Sequence, residues 1–305
     1  MFEILGKTKI DFIGKRNYAF IFSGILAFLG LLTLVQMGRG QANLGIDFAG
    51  GTAVQLKFEQ AIQIDEARRV LSDNGFPDAE LQEFTNGNKL LIRMKQQNTI
   101  QEDVANRIVQ IFEKEFSMNR FVVDSSTAIG PTIGQELRKK AVVAIVFSMI
   151  GIILYIAVRF EFRFGIAAAI ATFHDVLAVL GVLYILDKEI TLLVVTALLT
   201  LAGYSLTDTV VVFDRIRENL KYRRRESLEE VINGGINQVL SRTIVVSLTV
   251  VLVLIALFFF GGEVIHDFSF TLLVGVLVGT YSSIFVASPI LAVWKGSRGK
   301  LLKRV

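Results

Sequence analysis

Residues 190–213 read ITLLVVTALLTLAGYSLTDTVVVF, an apolar run whose only charged side chain is Asp208. Such a run is long enough to cross a hydrocarbon layer of about 30 Å. Four more follow the same pattern on either side, at 141–158, 164–186, 243–260 and 268–294. A sixth, NYAFIFSGILAFLGLLTLVQM at 17–37, follows Lys7, Lys9, Lys15 and Arg16. Its apolar stretch exceeds the roughly 7–15 residues of a signal peptide, so it reads as an uncleaved anchor. Composition agrees: a hydrophobic fraction of 52% and a mean hydropathy of +0.55 are too apolar for an ordinary soluble domain.

Between the first two spans, residues 38–137 return to soluble composition. TAVQLKF (52–58), AELQEFT (79–85), KLLIRMK (89–95) and FVVDSSTAI (121–129) alternate like strands, while 64–75 and 101–116 carry apolar residues at helical spacing. Asn86-Gly87-Asn88 is a hairpin signal, and Gly75 sits where a helix stops. The order β-α-β-β-α-β is the ferredoxin-like split unit, whose sheet has one face under the helices and one face free, suited to binding. The fold class predicted is an α-helical polytopic membrane protein, six transmembrane helices with an α+β ferredoxin-like extracytoplasmic domain. Its parts are a tail at 1–16, the span 17–37, the domain 38–137, a five-helix bundle at 138–294 and a tail at 295–305. Within the bundle, 214–241 reads as a polar loop holding a short amphipathic helix, LEEVINGGINQVL, interrupted by Gly234-Gly235.

Basic residues set the orientation. Arg159, Arg163, Arg215, Arg217, Lys221, Arg223, Arg224, Arg225 and Arg242 fall on the side of the two tails, against Lys188 in the short opposite loops. Both termini are expected in the cytoplasm. Arg138-Lys139-Lys140 closes a domain too long for the rule to apply. The net charge of +4 and the pI near 9.2 therefore point to topology rather than to nucleic acid. With no cysteine and two histidines, neither a disulfide framework nor a zinc cluster is expected. Without a P-loop, nucleotide-driven work is not expected either. No catalytic residue, cofactor or metal is predicted.

Ionised carboxylates at mid-bilayer cost about 2.5–3.5 kcal/mol on insertion scales, so they mark pathways or partners. Asp175, preceded by His174, falls near the middle of the 164–186 span, and Asp208 lies in the polar patch Tyr204–Thr209 with Thr207 and Thr209. Arg242, opening the next span, falls at the same depth as Asp208. A carboxylate that exchanges a proton beside a fixed guanidinium has two states of different charge, which is what ion coupling needs. The static alternative is an interhelical ion pair. His174-Asp175 reads equally as a relay member or a helix contact. Gly275 and Gly279 have the spacing of close helix contacts, and Pro289 is expected to bend the last helix.

Gly45-Ile46-Asp47-Phe48-Ala49-Gly50-Gly51, Phe173-His174-Asp175, Thr207-Asp208-Thr209 through Asp214-Arg215-Ile216-Arg217-Glu218, and Ser241-Arg242-Thr243 with Ser247-Leu248-Thr249 together resemble the SecF family. SecF is the smaller half of the SecDF protein-export complex and is related to the RND exporters. The resemblance covers nearly the whole chain. It implies a subunit in the bacterial cytoplasmic (inner) membrane that uses the proton motive force to promote translocation of secreted proteins. The implied partners are SecD, the SecYEG translocon, YajC, the translocating preprotein and the lipid bilayer, with no nucleic acid. It places Asp208 and Arg242 on the proton route, with Asp175, His174, Thr207 and Thr209 as relay candidates, and Gly45–Gly51 at the membrane surface. Competing classes are an RND-type exporter half for a small molecule or lipid, and a non-conducting scaffold. An intramembrane aspartyl protease would need Asp175 and Asp208 as a dyad, yet they differ in expected depth by roughly 8 Å at 1.5 Å per residue.

Overall fold

The computed structural model describes residues 8–84, 88–95, 101–223 and 225–294. The expectations for residues 1–7, for the Asn86-Gly87 turn, for Arg224 and for the tail 295–305 lie outside the described residues. The chain forms two units: Leu44–Val143 with Glu189–Leu192, and the remainder.

The first unit is the ferredoxin-like domain. A short helix α2 (Ile46–Ala49) leads into β1 (Gly51–Phe58), α3 (Ile64–Asp73), β2 (Glu80–Phe84), β3 (Lys89–Lys95), α4 (Gln101–Glu115) and β4 (Phe121–Ile129). The antiparallel sheet has the order β2-β3-β1-β4. Alternation along β3 sends Leu90, Ile92 and Met94 inward, where they meet Val54, Leu56 and Phe58 of β1 and Ile108 and Phe112 of α4. Phe58, Phe112, Phe116 and Phe121 cluster with ring centroids 5.2–6.5 Å apart. The helix α3 ends where expected, with Gly75 at φ +92°. Gly51 is at φ +146°, and a β-carbon there would lie 2.2 Å from the Met94 carbonyl oxygen. No larger residue fits that approach of the segment to β3.

The second unit is helical. With a short 3-10 turn at Ile13–Lys15, the helices are α1 (Arg16–Gly38), α5 (Pro131–Arg159), α6 (Phe162–Ile185), α7 (Leu192–Tyr222), α8 (Leu228–Phe260), α9 (Glu263–Ser282), a π-helical segment (Ser283–Ala287) and α10 (Ser288–Val293). Helix α5 begins in the first unit and α7 begins at its last residue. Among the described residues, six helical stretches are long and apolar enough to span a membrane. Helix α6 is the central one, and Ala167, Ala168 and Ala171 are fully buried along it. Phe147, Ile150 and Leu154 of α5 are exposed, a surface suited to hydrocarbon. Because lipid tails are as apolar as leucine, helices associate in a bilayer by close packing. At the crossing of α1 and α6, a β-carbon on Gly30 would sit 2.0 Å from the Leu177 carbonyl oxygen, and one on Gly181 2.7 Å from that of Leu26.

Residues 214–241 are mostly helical rather than a loop. Helix α7 runs on to Tyr222 because Phe213, Ile216 and Leu220 continue its buried stripe. The amphipathic LEEVINGGINQVL is the opening of α8, started by a capping box between Ser227 and Glu230. Its two glycines do not interrupt the helix. A β-carbon on Gly235 would lie 2.8 Å from Ile216 Cγ1, so this glycine serves the close contact with α7. Asn233 and Asn237, one turn apart, grip the segment before α1. Asn233 Oδ1 accepts from the Phe12 amide at 2.9 Å, and Asn237 Oδ1 from the Ile10 amide at 2.9 Å. The Asn237 amide group donates back to the Ile10 carbonyl at 2.8 Å.

Overpacking at the α1–α6 crossing costs about 1–3 kcal/mol or more. Gly30→Leu is therefore expected to lower the thermal midpoint of the detergent-solubilised protein by several degrees. Gly151→Leu, with nothing within 4 Å of the added carbon, is expected to leave it unchanged in the same scan.

Candidate functional site

The helical unit concentrates its polar side chains around two carboxylates. Asp175 projects from α6 and is fully buried, with 0% exposure. In hydrocarbon such a group persists only where the protein supplies donors. Ser205 of α7 donates to Asp175 Oδ2 in a short hydrogen bond, and Ser282 of α9 donates to the same oxygen at 2.8 Å. The other oxygen, Oδ1, faces Nδ1 of the adjacent His174 at 3.0 Å. Three helices are thereby tied through one side chain. The second glycine of the GxxxG pair admits this: a β-carbon on Gly279 would lie 3.0 Å from Ser205 Cβ, and one on Gly275 2.7 Å from a methyl of Leu201.

Asp208 lies one further turn along α7 and is half-buried. Ser283 donates to its Oδ2 at 2.8 Å. Consecutive serines thus serve the two carboxylates, Ser282 that of α6 and Ser283 that of α7. The backbone is locally unusual at this place. Pro289 has no N–H for the carbonyl four residues before it, and the turn preceding it widens into the π-helical segment Ser283–Ala287. Ser288 Oγ donates to the Ser283 carbonyl at 2.8 Å across that widened turn. Where a bend at Pro289 was expected, the structure shows this widened turn.

Arg242 acts on Asp208 through space, as does the Asp175 carboxylate, but Arg242 and Asp208 form no ion pair within 4.0 Å among the described residues. Arg242 is exposed on α8. Of the remaining sequence candidates, Thr207 is exposed and bonds the Gly203 carbonyl of its own helix at 3.1 Å. Thr209 is fully buried, and its hydroxyl has no partner among the described residues. The same is true of the buried His174 Nε2, while the buried Thr243 hydroxyl lies against Asp208. Ser247 and Thr280 hydroxyls meet at 2.6 Å beyond them. Sequence reasoning missed Ser282 and Ser283. The available signal was a pair of hydroxyls inside an apolar run, six residues ahead of a proline.

The first unit holds a second polar assembly around the Gly45–Gly51 segment. The chain between α6 and α7, Glu189–Leu192, lies alongside it: Leu44 and Ile190 form a parallel bridge, and the Gly45 amide donates to the Ile190 carbonyl at 3.1 Å. Asp47 Oδ2 accepts from the Leu192 amide at 2.9 Å, satisfying the first residue of α7. A β-carbon on Gly45 would press on Thr191 Cγ2 at 2.8 Å.

Comparison with known proteins bears on all of this. Residues 109–297 match the family described as Protein export membrane protein SecD/SecF, C-terminal, and residues 42–62 match the SecD/SecF GG Motif. The chain is 50% identical, over the full length of both, to the protein translocase subunit SecF of Thermodesulfovibrio yellowstonii. The chain belongs to the SecD/SecF family of protein-export membrane proteins. A second relative, from Vibrio alginolyticus, is 39% identical over 94% of this chain and 91% of its own. The crystal structure of SecDF from Thermus thermophilus superposes with a TM-score of 0.82 at 37% identity. It covers 94% of this chain, which spans only 39% of that longer one. A SecDF structure in a super-membrane-facing form matches with a TM-score of 0.70 at 37% identity, over 98% of this chain and 40% of that one. The family resemblance read from the four motifs is borne out, as is the expected fold, and the relatives are named as subunits of a protein translocase, a transport component.

The two carboxylates are expected to differ when removed. Asp175→Leu strips Ser205 and His174 of their buried partner, a loss of about 1–3 kcal/mol for an unsatisfied polar group. Asp208→Leu costs less, because Ser283 keeps the Thr280 carbonyl at 3.0 Å. Thermal unfolding of the solubilised variants checks this, and an equal loss in both would contradict it.

Proposed function

We propose that the protein is the smaller subunit of a SecDF-type accessory to the Sec translocase. It lies in the bacterial cytoplasmic membrane with both termini inside and the ferredoxin-like domain outside, and it draws on the proton motive force to promote passage and release of secreted chains. The observation that carries the reading is the setting of Asp208. It is half-buried on α7 beside a stripe of exposed small residues, Thr196, Thr200, Gly203 and Thr207, which recur at helical spacing. A β-carbon on Gly203 would meet nothing within 4 Å. Small, hydroxyl-bearing helix faces in hydrocarbon suit another helix. A SecD partner carrying its own polar span would complete a path of which this chain supplies half. SecYEG, YajC and the preprotein are the further partners of this reading.

In this mechanism Asp208 is the group that takes and gives up the proton. Ionised, it is held by the Ser283 hydroxyl and attracted by Arg242; neutral, it loses the attraction, and α8 and α9 are released to shift relative to α7. A membrane potential supplies about 2.3 kcal/mol per charge per 100 mV, enough to bias a two-state motion. Asp175, with every donor committed within the bundle, is the fixed point about which α6, α7 and α9 hold together. His174 and Thr209, whose buried polar atoms have no partner among the described residues, are the positions where a water chain would find its bonds.

The test is export of a secreted substrate in cells depleted of the native protein and complemented with wild type, Asp208→Asn or Arg242→Met, with membrane levels and SecD association measured alongside. Both variants are expected to assemble normally and leave export at the level of the depleted cells. Full restoration would overturn the ion-coupled reading and leave a scaffold.

A further inference from the structure

The sheet of the ferredoxin-like domain has a core face and a second face on which Glu80 of β2 and Arg93 of β3 are direct cross-strand neighbours. That second face is not wholly free. The Glu189–Leu192 segment places Glu189 there, 7% exposed, with its Oε2 3.3 Å from Arg93 Nη1. Glu189 also meets the carboxyl group of Glu80, whose Oε1 is 2.6 Å from Lys95 Nζ. A carboxylate this deeply covered, facing a second carboxylate with one cation beside each, is an arrangement in which one proton shared between the two acids relieves a buried charge.

We infer that Glu189 and Glu80, framed by Arg93 and Lys95, form a proton-binding site in the ferredoxin-like domain that clamps the segment leading into α7. The charged groups facing Glu189 are Glu80 from β2 and Arg93 and Lys95 from β3; Asp47 of the neighbouring glycine-rich segment is turned to the Leu192 amide. Titration follows this geometry. Burial pushes Glu189 up to about 7 against the pull of Arg93, and Glu80 adds to the rise. Glu80 itself, though burial raises it, is held below its ordinary value by Lys95 and by the hydrogen bond from Glu189. The proton therefore resides on Glu189, which donates it to Glu80.

The sign of the linkage follows. Clamped, Glu189 binds its proton more tightly than it does exposed, where its value is the ordinary 4.5. The clamp weakens as pH rises from 4.5 to about 7, by on the order of a hundredfold in the clamped-to-released ratio, and is level above; below 4.5, protonation of Glu80, which Lys95 and Glu189 hold low, weakens it again. The segment continues directly into the helix that carries Asp208. The inference does not depend on export being proton-driven, because the site is read in the purified protein.

Amide hydrogen exchange on the full-length protein in detergent, corrected for intrinsic rates at pH 5, 6, 7 and 8, tests it at two amides: Gly45, bonded to Ile190, and Leu192, bonded to Asp47. Wild-type protection is expected to fall at least tenfold between pH 5 and 8. Glu189→Gln, an uncharged mimic of the protonated acid, is expected to hold the low-pH protection throughout, and Glu80→Gln to move the fall to lower pH. Asp208→Asn is expected to behave as wild type. Flat protection in wild type, the same fall in Glu189→Gln, or its disappearance in Asp208→Asn would each overturn the inference.

Discussion

A carboxylate without water must be solvated by protein, and the three-helix clasp around Asp175 is how this bundle meets that demand. An unsatisfied polar group in hydrocarbon costs several kcal/mol, so each donor is required rather than optional. Ser205 and Ser282 bring α7 and α9 onto α6, and the close approach is possible only because Gly275 and Gly279 remove the side chains that would hold α9 away from α7. The position of α9 then sets the position of Ser283, and Ser283 sets the environment of Asp208. The two acids are in this sense one construction with unequal parts. One is fully buried and central; the other is half-buried, held by Ser283 and beside Thr243.

The same logic explains where the helix geometry departs from the regular. A proline in the last span removes a donor that a bilayer cannot replace. The structure answers with a π-helical turn and a Ser288 hydroxyl directed at the Ser283 carbonyl. The widened turn lies directly after the two serines that serve the acids, so local backbone irregularity and the polar site coincide.

Much of this was legible in the residues. The strands Lys89–Lys95 and Phe121–Ile129 have the limits that alternation and turn chemistry predict, and the β-α-β-β-α-β order follows from periods of 2 and 3.6. The six spans were visible as long apolar runs, and Asp175 and Asp208 as carboxylates too costly to be accidental. What was not legible is contact between elements distant in the chain. Ser282 and Ser283 look like ordinary lipid-span serines until α9 is laid against α6 and α7. Helices α7 and α8 extend through the apparent loop because Ile216, Leu220, Val231 and Ile232 bury one another's faces, although the charged residues between them suggest solvent. Glu189 reads as a loop residue flanked by Lys188. Its burial arises only once the α6–α7 connection settles on a sheet more than ninety residues earlier in the chain.

Helix α7 emerges as the element on which the several parts converge. Its first residue is held by Asp47 of the glycine-rich segment, its middle by Asp175 through Ser205, and its later part by Ile216 against Gly235 of α8. Asp208 sits between the second and third of these attachments. Altering its charge changes the balance between α7 and its neighbours in the bundle at the point where no direct ion pair locks them. The attachment at Asp47 is built into the fold of the ferredoxin-like domain, where Gly45 and Gly51 admit no side chain. The glycine-rich motif is accordingly best understood as a socket for the start of this helix, and its glycines as the space that the connection before α7 requires.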